Sequence, residues 1–213
     1  SRRKTVAIHV FRNGDVEVRA PRKAPESMIR AFVSDKRDWI VRKQAEWQQL
    51  PSPHRLIYRE GAEHYFLGER HRLTFSKATN DVAEPVIPLR LRQDSPEAVE
   101  RALERWYRRE AEKLFSERHG FWRQELADWD LPGSTIALRK MKSRWGSCSR
   151  RGLITLNTHL VRYLLECIDA VIVHELCHLL EFNHSRRFYS LMDQAYPGWQ
   201  SMDELLKNLS LQY

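Results

Sequence analysis

The stretch His174-Glu175-Leu176-Cys177-His178-Leu179-Leu180-Glu181-Phe182-Asn183-His184 decides how the rest of the chain is read. His174 and His178 are four residues apart. On a helix their imidazoles share one face, one turn from each other, so both can bind one metal ion. Glu175 follows His174 and lies near the same face. From there it reaches a metal-bound water without being a ligand, as a general base for hydrolysis must. His184 stands six residues beyond His178, far enough for the helix to end near Asn183 and the chain to return with a third nitrogen. Three protein ligands leave a fourth tetrahedral position for water or substrate, the open arrangement of a catalytic zinc site. Three imidazoles suit Zn2+, although Mn, Fe, Co and Ni also bind such a set.

Outward from this stretch, Ile168 to Val173 and Leu179-Leu180 are apolar, which predicts a buried helix over 168–182. Cys177 points away from the ligand face and reads as a small buried hydrophobe, like Cys148 and Cys167. Upstream, Thr135 to Leu138, Ser143 to Ser147 and Leu153 to Asn157 read as three short strands, with a turn at Arg150-Arg151-Gly152. The run Met141 to Ser149 has two readings. It is a hairpin supporting the helix, or a strand bordering a cleft and pairing with an extended peptide, with Gly146 admitting the peptide backbone. Further helices are expected at about 158–166, 185–195 and 201–210.

Pro132-Gly133 separates this region from the longest helix, which opens at Ser95-Pro96-Glu97 and runs towards Gly120, with a second helical stretch to Trp129. Before it, residues 56–92 read as β-structure, punctuated by Gly61, Gly68 and Asn80-Asp81. Pro25 to Leu50 reads as one helix, stopped by Pro51 and Pro53. Val6, Ile8, Val10, Val16 and Val18 alternate around Asn13-Gly14, the signature of a β-hairpin.

Composition excludes several classes. A chain of 213 residues with 42% hydrophobic residues and 7 Trp can bury a core, so disorder is ruled out. Three cysteines cannot all pair and none are close neighbours, so a disulfide framework is not expected and a reducing compartment is. No apolar run reaches transmembrane length, and Ser1-Arg2-Arg3-Lys4 leads into alternating residues rather than a leader's apolar stretch. The expectation is a cytoplasmic protein with no membrane partner. The net charge of +8 attracts nucleic acid or acidic partners, although the arginines are spread along helical stretches, as on a solvated face.

Arg139-Lys140-Met141-Lys142-Ser143-Arg144-Trp145-Gly146-Ser147-Cys148-Ser149, Ile154-Thr155-Leu156-Asn157, Ile168 to Leu179, Asn183-His184-Ser185 and Pro197-Gly198-Trp199 together resemble the YgjP-like metallopeptidases. The resemblance spans nearly the whole chain. It implies an α+β fold. A zincin-like C-terminal half, with a short antiparallel sheet and an active-site helix, follows a β-rich N-terminal half with one helix. The expected domains are 1–94 and 95–213. It also implies His174, His178 and His184 as zinc ligands, Glu175 as base and a polypeptide substrate. Glu181 stands where metzincins place a turn-forming glycine, so that assignment is declined. Arg144, His159, Tyr163 and Tyr189 are candidates for stabilising an oxyanion. Asp169, Asp193, Asn157 and backbone carbonyls are candidates for orienting the ligand histidines. The family is similar to the SprT and WLM families, so a protease acting on DNA-bound proteins is the second reading. A catalytically silent metal-binding scaffold is the third.

Overall fold

The structure is a computed structural model and describes residues 5–10, 15–49, 56–75 and 85–209. They fall in two compact units, one within Ser1–His54 and one within Arg55–Ser210. In the smaller unit, β1 (Ala7–Val10) and β2 (Val16–Arg19) pair antiparallel, with Ile8 opposite Val18 and Val10 opposite Val16. The expected Asn13-Gly14 turn lies outside the described residues. The single helix expected from Pro25 is two, α1 (Glu26–Asp35) and α2 (Arg37–Gln49). Lys36 leaves the helical conformation at φ −95° and ψ 7°, and its N–H turns back to the carbonyls of Phe32 and Ser34. The apolar positions keep a helical period on both sides, so a one-residue interruption leaves no mark in the pattern.

The larger unit is organised by α3 (Pro96–Glu125). Its start is as expected: Ser95 Oγ accepts the N–H of Ala98 and Pro96 fills the first turn, where its missing N–H costs nothing. Val99, Leu103, Trp106, Tyr107 and Phe115 recur at helical spacing on the buried face. The helix runs through Gly120 instead of stopping there. One glycine costs about 1 kcal/mol relative to alanine, too little to break a 30-residue helix with a buried stripe. Only the last expected turn differs, closing as a 3-10 turn at Ala127–Trp129.

Two small sheets flank α3. In the first, β3 (Glu63–Phe66) and β4 (Glu69–Thr74) are antiparallel across Leu67-Gly68, and β5 (Val86–Pro88) runs parallel to β4. Both turn residues have positive φ, 50° and 83°, which a two-residue hairpin requires. Leu73, Ile87 and Leu89 enter the same core as α3, and the Tyr107 hydroxyl donates to the Tyr65 carbonyl at 2.7 Å. These strands therefore belong to the same compact unit as the C-terminal half. The two compact units divide near residue 55.

The second sheet has the order β6-β8-β7, from β6 (Thr135–Arg139), β7 (Gly146–Cys148) and β8 (Leu153–Asn157). It is mixed rather than wholly antiparallel. The turn at Arg150 to Gly152 folds β7 back antiparallel on β8, while β6 lies on the far side of β8 and parallel to it. Six residues between β6 and β7 leave a gap that β8 fills. Gly152 has φ 77°, and a side chain there would run into the Gly133 carbonyl, so the turn admits only glycine.

The remaining helices are α4 (Leu165–Cys177), α5 (Arg186–Ala195) and α6 (Trp199–Leu209). α4 is central. It packs against α3, α5, α6, β7 and β8, and all but three of its residues are buried. No helix among the described residues is long and apolar enough to cross a membrane.

Candidate metal centre

α4 carries His174 and Glu175 in its last turn and ends at Cys177, five residues before the expected end. His178 caps it. The N–H groups of Leu179, Leu180 and Glu181 close tight bonds back to Leu176 and Cys177. Glu181 Oε1 then accepts the N–H of Asn183 at 3.1 Å and fixes the turn. The chain reverses here without any left-handed residue, so glycine is not needed at 181. Glu181 is a turn-forming carboxylate and not one of the converging groups. Ser185 opens α5 by accepting the Phe188 N–H, which leaves His184 just outside the new helix and facing the old one.

The three imidazoles meet. Nε2 of His178 lies 3.1 Å from Nε2 of His174, and Nε2 of His184 lies 3.2 Å from Nε2 of His174 and 3.1 Å from Nε2 of His178. Tetrahedral zinc bonds of about 2.0–2.1 Å would separate neighbouring ligand nitrogens by about 3.3 Å. The triangle fits a single ion of that size. The tautomer also fits: the Glu181 carbonyl can only accept, so His178 Nδ1 donates to it at 3.0 Å, and Nε2 presents a bare lone pair. Phe188, fully buried, packs its ring 4.6 to 4.8 Å from all three imidazoles and fixes their positions. No pattern in the sequence singled out Phe188.

Burial, aided by the neighbouring imidazoles, brings His174 down to about 4. Burial also lowers His178. Both rings are thus neutral near pH 7, the form that binds a cation. Glu175 is 4% exposed, and burial lifts its carboxyl to about 8, opposed by the charge of Arg144. Its Oε2 is buried with no hydrogen-bond partner among the described residues. An orphaned carboxylate oxygen in the same cleft as three convergent ring nitrogens is the polarity expected where a cation and a water belong.

Gly146 of β7 lies against this carboxylate. A Cβ at 146 would stand 2.8 Å from both Cγ and Cδ of Glu175 and closer still to Oε1. The glycine expected to admit a substrate backbone first of all makes room for the Glu175 carboxylate. Asn157 holds the loop leading into β7. Its Nδ2 donates to the carbonyls of Met141 and Arg144, its Oδ1 accepts from Met141 N–H and His159 N–H, and its own N–H bonds Trp145 O. This anchoring is why β7 begins at Gly146 and not at Ser143.

A cleft of about 590 Å3 opens over the triad, lined by Arg144 to Cys148 on one side and by residues of α4, α5 and α6 on the others. Arg144 and Tyr189 line it; Tyr189 stacks on Trp199 with ring centroids 5.7 Å apart. The other two oxyanion candidates lie elsewhere. His159 bonds Glu104 at 2.8 Å, and buried Tyr163 packs edge-on to Trp145. Asp169 pairs with Arg118 through two bonds of 2.7 Å, and Asp193 accepts from Trp199 and Gln200. Neither aspartate orients a histidine; the backbone carbonyl of Glu181 does. Burial raises Cys148 and Cys167 to about 11 and Cys177 to about 12, so all three remain thiols.

The model of the YgjP-like metallopeptidase domain matches residues 4–209. The chain belongs to the YgjP-like metallopeptidase family. Membership makes it a peptidase that acts on polypeptides and uses a metal ion. Two solved structures are similar to part of this YgjP-like chain. The metallopeptidase zymogen of Pyrococcus abyssi abylysin is 21% identical, with a TM-score of 0.40, over 45% of this chain and 94% of that one. The metallopeptidase zymogen of Methanocaldococcus jannaschii jannalysin is 19% identical, with a TM-score of 0.39, over 45% of this chain and 96% of that one. No curated protein matches the chain.

Proposed function

We propose that the protein is a zinc-dependent peptidase in which His174, His178 and His184 hold the ion and Glu175 is the general base. The observation that carries this reading is the triangle of three Nε2 atoms, 3.1 to 3.2 Å on a side, beside a buried carboxylate oxygen with no partner. When bound, the ion supplies Lewis acidity, lowering the pKa of a coordinated water to about 7 and polarising a carbonyl oxygen. Ionised Glu175 would take a proton from the attacking water and deliver it to the leaving amine. The low polarity that lifts this carboxyl makes it a stronger base than one in water.

The substrate reading rests on β7. Among the described residues it is an edge strand, paired with β8 alone. Trp145 O and Ser149 N–H both bond towards β8, so alternation turns the backbone groups of Gly146 and Cys148 to the open edge. An extended peptide adds to this edge as a further strand, which brings its carbonyls past Glu175. Arg144 and Tyr189 are the cleft residues that reach the oxyanion.

Glu175→Gln tests the assignment. The variant should keep stoichiometric metal, measured by elemental analysis, and lose hydrolysis of an unfolded polypeptide. Retained peptidase activity in that variant would remove Glu175 from its role, and loss of the metal would make it a ligand instead.

A further inference from the structure

Away from the cleft, two concavities of about 490 and 530 Å3 adjoin between residues 88–93 and α3. Arg90 and Arg105 line both. Arg92 and Arg101 complete one and Arg109 the other. Arg101, Arg105 and Arg109 recur every four residues on one face of α3, each rising about 6 Å beyond the last. No acidic residue lines either hollow. All five guanidinium-bearing residues are exposed, and Arg90, Arg92, Arg101 and Arg105 form no ion pair among the described residues. Arg109 bonds Glu110 at 3.2 Å in an exposed pair, which screening makes weak.

We propose that this arginine strip binds the sugar–phosphate backbone of a nucleic acid. Like charges held a helical turn apart repel one another until a ligand of repeated negative charge lies along them. A guanidinium fork matches a phosphate bidentately, and the strip uses arginine at every position and lysine at none. A small anion would engage one or two forks and leave the others unbalanced. A phosphodiester chain presents its anions at regular intervals in a rigid order that carboxylates on flexible side chains lack. Trp106, the aromatic residue of the strip, is buried with its ring against Phe66 at 4.9 Å, so no aromatic face is offered to a base. Recognition is therefore through the backbone and is independent of base sequence. The surplus of +8 charges speeds the encounter. This inference stands apart from the peptidase chemistry and survives if the reading of Glu175 fails.

The test is fluorescence anisotropy of labelled oligonucleotides, single-stranded and duplex, with the full chain and with Arg90→Gln/Arg101→Gln/Arg105→Gln. The parent should bind two unrelated base sequences equally, with log K falling linearly against log salt. The triple variant should lose about tenfold or more in affinity, and its salt slope should fall by about 2 to 3, one phosphate contact per arginine. A control removing three exposed charges from the smaller unit, Arg22→Gln/Lys23→Gln/Arg37→Gln, should leave that slope intact. Melting temperatures confirm that each variant is folded. Equal losses in both variants would show that net charge alone binds and would overturn the proposal. So would unchanged binding in the triple variant, or displacement of the oligonucleotide by polyglutamate at the same charge concentration.

Discussion

Replacing Gly146 by alanine is the sharpest perturbation of the proposed base that deletes no polar atom of the site. The added Cβ would lie 2.8 Å from Cγ and Cδ of Glu175, and the three nearest atoms it meets all belong to that side chain. Carbon atoms in contact rest at about 3.5–4.0 Å, so about 0.7 Å or more must be given up. Glu175 sits on the most enclosed helix of the fold and is 4% exposed, whereas β7 is tied on one side only. The carboxylate rotates or the strand edge retreats, and either separates base from substrate. Misplacement of about 1 Å costs about 100-fold in rate, or about 2.7 kcal/mol of barrier. The assay is steady-state hydrolysis of a labelled unfolded polypeptide, with metal content measured on the same sample. The expected result is a fall of about two decades in kcat with the metal retained. In a Glu175→Gln background the same alanine should cost nothing further, because both changes disable one group. Activity within twofold of the parent, or additive losses in the double variant, would refute the reasoning.

Three further outcomes follow from the packing around the site. Asn157→Ala deletes four side-chain hydrogen bonds to the backbone and strands buried groups, so it should lower unfolding free energy by about 2–4 kcal/mol in a denaturant titration. Arg118→Leu leaves the Asp169 carboxylate buried without its two 2.7 Å bonds and should cost about 3–5 kcal/mol; Arg118→Leu/Asp169→Leu should recover part of that in the same titration. Glu104 is a pH reporter. Burial alone would raise its carboxyl, but hydrogen bonds from His159 and Lys140 together outweigh that and bring it down from 4.5 to about 2. A depressed folded-state pKa stabilises above the unfolded value, so this contribution is full above about pH 4.5 and fades as pH falls towards 2. Glu104→Gln should be less stable at pH 6 by about 1–3 kcal/mol, with the difference closing across that window in stability measurements against pH.

The candidate site was legible in the sequence where it depends on local spacing. His174 and His178 share a helix face at any tertiary arrangement of that helix, and Ser95-Pro96 starts α3 by bonds made within one turn. The same holds for Arg150 to Gly152, where one turn residue must take positive φ. What local spacing cannot carry is the meeting of distant segments. The parallel pairing of β6 with β8 depends on where a six-residue connection lies, and hydrophobic alternation is the same for either direction. The early end of α4 comes from bonds closed by the turn that returns His184. The break at Lys36 interrupts no apolar period.

Gly146 is the clearest case of the division. As a residue in a strand it signalled only that something approaches closely. That the neighbour is Glu175, 29 residues later in the chain, became legible when α4 packed against β7. Likewise Asn157, Phe188 and the Arg118–Asp169 pair act on groups far from them in sequence. Periodicity fixes which face of an element is buried and which side chains one helix can bring together. The partners that orient those side chains are chosen by the packing of separate elements, a sum of many contacts that no short window of residues contains.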